Sequence, residues 1–299
     1  MADARPALED LRRQIDEYDD RLLEALTARA GVARYVTAAK QRAGITRTMQ
    51  PGREARLMRR LVARAAGAGE EGFPVAVLAR IWREIIGVTL RIETDFRAVA
   101  SQNARTGAGR ALWDVARDHL GTAIPLEAAR SDRVALAHLA AGEVTVAVLP
   151  FPSLSEDGDD TPWWVEMASL PARDIDIVAR LPFVRPSPEV KTDALMVARA
   201  DFQETGDDRT LVALILAADQ AAAMMADTQG PGGPTLLARA PYGGTVAETI
   251  CLFDLPGFVT LEDPAVAGLA RWGRLVRLGG YATPLVADGA GRTDARSGS

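Results

Sequence analysis

From Leu8 onward the apolar residues Leu8, Leu11, Ile15, Tyr18, Leu22 and Leu26 follow one another in steps of three or four, with charged residues filling the gaps. That period dictates a long amphipathic α-helix with one apolar stripe, built to pack on other helices. The pattern runs to about Arg42, where Ala43-Gly44-Ile45-Thr46 breaks it. A second helix starts near Pro51, a residue tolerated in a first helical turn, and carries Leu57, Met58, Leu61 and Val62. Gly67, Gly69 and Gly72 mark its end. Pro74 then opens a third helix, with Val77, Leu78, Ile81, Trp82, Ile85, Ile86 and Leu90 on its apolar face. The first block therefore reads as long helix, short helix, long helix.

A chain of 299 residues, 48% of them hydrophobic, has room for two or three domains that each bury a core. With a net charge of −5 and no sustained basic stripe, neither nucleic acid nor an anionic membrane surface is the expected partner. Local clusters of Arg and Lys still allow a small anionic ligand. The single cysteine, Cys251, excludes an internal disulfide framework and a cysteine zinc site, and His119 and His138 lack the carboxylate spacing of a metal centre. They are expected to be ordinary helix residues, and no cofactor is called for. The opening MADARPALEDLRRQIDEYDD lacks the apolar core of a signal peptide and no stretch approaches a membrane span, so a cytoplasmic location is expected.

After about Ser101 the long charged helices give way to Gly, Ala and short apolar runs, which predicts a domain boundary near 97–107. Residues 110–141 read as helical pieces, and Val144 to Leu149 as a buried strand ending at Pro150. SLSEDGDDTP, 153–162, reads as a loop, and Trp163 and Trp164 after it as core or interface anchors. Asp174 to Ala179, Ala194 to Ala198, Leu211 to Leu216 and Thr249 to Phe253 are further strand candidates, interleaved with helix-compatible segments. Such alternation suggests an α/β or α+β region. The tail beyond about Asp288 is expected to be disordered.

On the first helix Arg29 and Lys40 lie eleven residues apart, close to three turns and so on one face about 16 Å apart, where two cations bracket an anion. Arg53 and Glu54 open the second helix, and Thr89 and Glu93 share one face of the third at the i, i+4 spacing. Folding the three helices together would gather these residues in one polar pocket. The alternative is a solvated surface of ordinary ion pairs, and spacing alone does not separate the two.

The run LEDLRRQIDEYDDRLLEALTARAGVARYVTAAK, 8–40, resembles the first helix of the all-helical chorismate mutase family: a Leu-Arg start, an Ile-Asp-x-x-Asp centre, Leu-Leu, then Arg and Lys eleven apart. QPGRE, 50–54, resembles that family's Asp-Pro-x-Arg-Glu, with Gln50 in place of Asp, and IWREIIGVTLRIE, 81–93, is similar to its third helix. One extra residue separates Lys40 from Arg53 relative to the family pattern. The resemblance implies isomerisation of chorismate to prephenate in aromatic amino acid biosynthesis, by an intertwined homodimer. It implies that Arg29 pairs with a substrate carboxylate, that Lys40 reaches a carboxylate and the ether oxygen, and that Glu54 accepts from the ring hydroxyl. It further implies that Arg53 orients Glu54, that Gln50 and Thr89 lie in the substrate site, and that Glu93 donates to the ether oxygen, for which its carboxyl must be protonated. Arg12 also matches a carboxylate-binding position, yet it lies seventeen residues before Arg29, about 25 Å along a continuous helix. If both touch one chorismate, Arg12 comes from a partner chain.

This rearrangement breaks a carbon–oxygen bond as a carbon–carbon bond forms and needs no nucleophile or metal. Arginine forks hold a flexible dianion in a chair-like conformation, and fixed donors meet the charge that develops on the ether oxygen.

The remainder carries a second resemblance. HLAAGEVTVAVLPFPS, 138–153, is similar to the prephenate dehydratase strand bearing Pro-x-Glu-Asn, and KTDALMVAR, 191–199, to its Thr-Arg-Phe segment. Residues 209–285 resemble the phenylalanine-sensing ACT domain. The motifs are altered: Phe151-Pro152-Ser153 stands for the Glu-Asn motif, Asp193-Ala194 for Arg-Phe, Ala221-Ala222-Ala223 for Gly-Ala-Leu, and Ala238-Arg239-Ala240-Pro241 for Glu-Ser-Arg-Pro. The expected organisation is therefore multi-domain: an all-α mutase domain over 1–97, a degenerate dehydratase-like region over 98–203, an ACT-like α+β part over 204–287 and the tail over 288–299. No dehydratase activity is expected. The alternatives are a bifunctional mutase/dehydratase and a non-catalytic regulatory partner of another shikimate-pathway enzyme.

Overall fold

The computed structural model describes residues 8–44, 49–69, 72–102, 109–153, 161–170, 174–185, 192–228, 233–243 and 247–287. Three helices come first: α1 (Leu8–Arg42), α2 (Pro51–Ala66) and α3 (Val75–Glu93). Then follow β1 (Ala98–Ser101), α4 (Gly109–Leu120), β2 (Leu126–Ala129), α5 (Asp132–Ala140), β3 (Val146–Pro150) and α6 (Trp163–Ser169). The chain continues through β4 (Asp176–Leu181), β5 (Val184–Arg185), β6 (Ala194–Ala198), β7 (Asp208–Ala217) and α7 (Ala221–Thr228). It closes with β8 (Thr235–Tyr242), β9 (Glu248–Pro256), α8 (Pro264–Ala270), β10 (Arg274–Ala282) and β11 (Leu285–Val286).

The helical block has the expected order and limits. α2 begins at Pro51 and stops before Gly67, and α3 follows Pro74. The local causes are those read from the sequence: a proline lacking the amide that a first turn leaves unused, and glycine where the helix stops.

Nine strands form one sheet in the order β2-β1-β3-β6-β4-β10-β7-β9-β8. β2, β1 and β3 run parallel to one another, β6 is antiparallel to β3 and β4, and β7 to β9 form antiparallel pairs with β10 on one flank. Side-chain alternation assigns the two faces. Ala147, Leu149, Leu195, Val197, Leu211, Ala213 and Ile215 point to the side covered by α5 and α6, where Trp163 and Trp164 are buried anchors. Their neighbours Val146, Val148, Met196 and Ala198 point to the other side, into a core shared with α2, α3 and α4. Val212, Leu214 and Leu216 point the same way under α7 and α8. The helical block is therefore one of the layers that covers this sheet.

Gly87 marks how closely the block is seated. A Cβ at this position of α3 would lie 2.4 Å from the carbonyl oxygen of Leu120 at the end of α4. Backbone oxygen cannot yield as a flexible side chain does, so Gly87→Ala is expected to force α3 and α4 apart at a cost of about 1–3 kcal/mol, the range for overpacking. Thermal unfolding of the variant checks this; a Tm within about 1 °C of wild type, a small fraction of the shift such a cost implies, would count against the close approach.

Two expectations are corrected. Within 110–141, expected to be helical pieces, β2 separates α4 from α5; its LEAA sequence is half-exposed at the sheet edge and has too short an apolar pattern to announce a strand. Near the boundary expected at 97–107, α3 has ended at Glu93 and Ala98–Ser101 opens the sheet as a fully buried strand. The division expected at 203/204 falls between β6 and β7, where the sheet does not break: β10 pairs with both β4 and β7. The tail over 288–299, Ile45 to Thr48 and most of the 153–162 loop lie outside the described residues.

Candidate active site

From Arg29 to its end, α1 lies against α3, and the two cations singled out on α1 meet the two polar residues singled out on α3. Arg29 donates from Nη1 to Thr89 Oγ1 and, at 3.4 Å, to the carbonyl of Ile85. Thr89 Oγ1 in turn donates to that carbonyl at 2.8 Å. The Lys40 Nζ to Glu93 Oε2 distance is 2.6 Å, and the side chains are 13% and 10% exposed, so the pair is largely withdrawn from water. An ammonium and a carboxylate this close and this dry interact far more strongly than a surface pair.

α2 enters the same site at its first turn. Glu54 Oε2 accepts from Arg83 Nη1 of α3 at 3.1 Å, with side chains 16% and 8% exposed. The Arg83 guanidinium also lies over the ring of Phe183, 5.9 Å from its centroid, which ties the pair to the sheet. Burial pushes the Glu54 carboxyl above its ordinary range, Arg83 opposes this, and the negative charge of Glu93 adds to it. Burial lowers the Arg29 guanidinium, the like charge of Arg53 adds to the effect, and Glu93 opposes it. These mutual influences place Arg29, Arg53, Glu54, Arg83 and Glu93 within electrostatic reach of one another. Behind Glu54 and Arg83 a narrow cleft is lined by His119, Phe183, Phe202, Gln203 and Thr205. His119 is held well below the usual imidazole range, chiefly by burial and then by Arg83.

Of the residues singled out in the sequence, Arg29, Lys40, Glu54, Thr89 and Glu93 come together, with Arg53 exposed at their edge. The guanidinium bonded to Glu54 is that of Arg83. Gln50 is half-buried ahead of α2; its carbonyl accepts from the Glu54 amide at 3.1 Å, while its side chain makes no capping bond. Arg12 is exposed on the first half of α1, with none of these residues near it in sequence. Arg83 was missed, although a signal was present. It occupies the buried stripe of α3 together with Ala79, Ile86 and Leu90, and an arginine there must have a buried partner.

Three packed helices thus bring buried cations and carboxylates together at one point. Residues 11–94 match the family model for chorismate mutase type II. This segment is similar to chorismate mutase type II domains, an isomerase class. No curated protein matches the chain. Among solved structures it is similar to GqqA, described as a novel type of quorum quenching acylase, at 15% identity over 62% of this chain and 95% of that one, with a TM-score of 0.45. It is similar to the prephenate dehydratase of Streptococcus mutans at 15% identity, 64% and 99% coverage and a TM-score of 0.43. The prephenate dehydratase of Arthrobacter aurescens in complex with L-Phe gives 15% identity, 64% and 90% coverage and a TM-score of 0.42. Among the described residues no helix is long and apolar enough to cross a membrane.

Proposed function

We propose that the chain isomerises chorismate to prephenate in the cytoplasm as a homodimer, with the site built by α1, α2 and α3. One observation carries the site assignment: the Lys40–Glu93 pair, the Arg29–Thr89 bond and the Glu54–Arg83 pair are presented together at one junction of helices. In this reading Arg29 takes a substrate carboxylate, with Thr89 fixing its guanidinium. Lys40 meets the ether oxygen as its bond to carbon breaks, Glu93 joins it as a donor only in the protonated form, and Glu54, steadied by Arg83, accepts from the ring hydroxyl. Arg53 and Gln50 border the substrate at the start of α2. The donors stand in place before reaction, so little reorganisation accompanies charge development. Full-length protein incubated with chorismate should consume it with saturable kinetics; negligible turnover would favour the non-catalytic regulatory reading.

The dimer is supported by α1 itself. Leu8, Leu11, Ile15, Tyr18, Leu22 and Leu26 are 42–63% exposed along one stripe of a 35-residue helix. An apolar stripe of that length facing water is unfavourable, and a second copy would cover it while carrying its Arg12 toward the site. The test mixes Arg12→Ala with Arg29→Ala. In an interlocked dimer a heterodimer places both lesions in one site and leaves the other whole, so activity is expected to reappear on subunit exchange. Exchange without recovery would sink the shared site.

The α/β region serves in this reading as a structural or regulatory extension. Asp193 accepts from Arg180 at 2.7 Å and from Arg185, and the Arg180 guanidinium lies 4.2 Å from the centre of the Phe151 ring. The side chains at the two altered dehydratase motif positions thus both engage Arg180. Prephenate incubated with the protein is expected to yield no phenylpyruvate.

A further inference from the structure

We infer that the connection from β6 to β7, through Gln203 and Thr205, positions the mutase site by holding the first turn of α2; the inference rests on reading the helical block as a chorismate mutase. A helix leaves its first amides without partners, and a side chain at the preceding position normally supplies one. Gln50 does not. Pro51 has no amide to satisfy, and the next one, Gly52 N–H, donates to Gln203 Oε1 at 3.2 Å, so the cap arrives from 151 residues along the chain. Glycine is required for this approach: a Cβ at position 52 would lie 2.8 Å from the Cβ of Gln203. Two residues further, in the same turn, stands Glu54.

The hold continues along the helix. Arg56 donates to the carbonyl of Glu204 at 2.7 Å. Arg59 donates to the carbonyl of Thr205 at 3.3 Å, to its hydroxyl at 2.7 Å and to the carbonyl of Asp207 at 2.5 Å. The connection is itself braced, since Asp208, buried at the start of β7, accepts from the amides of Thr205 and Gly206 at 2.7 and 3.0 Å. It is a fixed reference on the sheet, and α2 is registered to it. Glu54 is thus set between two anchors, Arg83 from α3 and Gln203 through Gly52, and the second lies outside the segment that carries the mutase signature. Gln203 and Arg59 are positioning residues in this scheme, acting through Glu54 rather than on substrate.

The test uses the full chain. Gln203→Leu keeps the bulk and removes the acceptor, Gln203→Asn keeps the chemistry one carbon short, and Gln203→Glu keeps the acceptor. The Leu and Asn variants are expected to lose about fivefold or more in kcat/KM, the scale of a lost helix cap, with Gln203→Glu restoring most of it. In a Glu54→Gln background Gln203→Leu should have almost no further effect, because both lesions act at one point; a merely structural role would give additive losses. Amide exchange of residues 50–56, faster in Gln203→Leu, reads the hold without substrate. Wild-type protein inert toward chorismate would defeat the mutase reading, whereas active wild type with unchanged or additive Gln203 variants, or unaltered exchange, would overturn the positioning role.

Discussion

Replacing Lys40 by alanine is expected to lower kcat/KM for chorismate by about a hundredfold or more, the loss that follows removal of one preorganised electrostatic donor. Two features set this magnitude. The Nζ is 2.6 Å from Glu93 in a nearly dry setting, so its charge acts at low effective dielectric. Its removal also leaves the Glu93 carboxylate without its counter-ion beside a dianionic substrate, so the variant adds repulsion as well as losing attraction. Lys40→Met, which retains most of the stem packing, should behave like Lys40→Ala if charge is the cause. Steady-state chorismate depletion measures both. Retention of more than about a tenth of wild-type kcat/KM, where a donor of this kind implies a far larger loss, would show that Lys40 is outside the reaction.

Arg83→Leu is expected to be the most destabilising substitution in the helical block, at about 3–5 kcal/mol, because it leaves Glu54 with no partner in a place water hardly reaches. For a chain of this size such a loss corresponds to a fall in Tm on the order of 10 °C. Burial already raises the Glu54 carboxyl and Arg83 opposes that rise. Without the guanidinium the carboxyl is pushed further upward, which favours its protonated form and weakens it as an acceptor for the substrate hydroxyl. Activity should therefore fall together with stability. Adding Glu54→Gln removes the stranded acid, so the double variant is expected to recover part of the lost Tm; a double variant less stable than Arg83→Leu by the full effect of Glu54→Gln would show that the pair is not coupled.

Arg83 and Gln203 show where local reading stops. The spacings that mark Arg29, Lys40, Thr89 and Glu93 lie within single helices, where residue number converts directly into a face, and these residues meet as the spacing suggests. Arg83 was legible in principle as a charge in an apolar stripe, but its partner Glu54 is on another helix. Gln203 carried no signal: it lies in a connection between strands, and its bond to Gly52 spans 151 residues. β2 was missed because an exposed edge strand of four residues has almost no pattern, whereas Ala194–Ala198, buried on both faces, was legible as an uninterrupted apolar run.

The sequence by itself determined the three helices, their punctuation at Pro51, Gly67 and Pro74, and the faces on which Arg29 and Lys40 stand, because periodicity and helix-end chemistry act over a few residues. Only the tertiary structure decided that these helices cover a nine-stranded sheet, that Arg83 answers Glu54, and that α2 takes its cap from the far side of β6. Those outcomes depend on contacts between residues distant in the chain, where many pairings have similar local cost and the choice falls to the packing of the whole core.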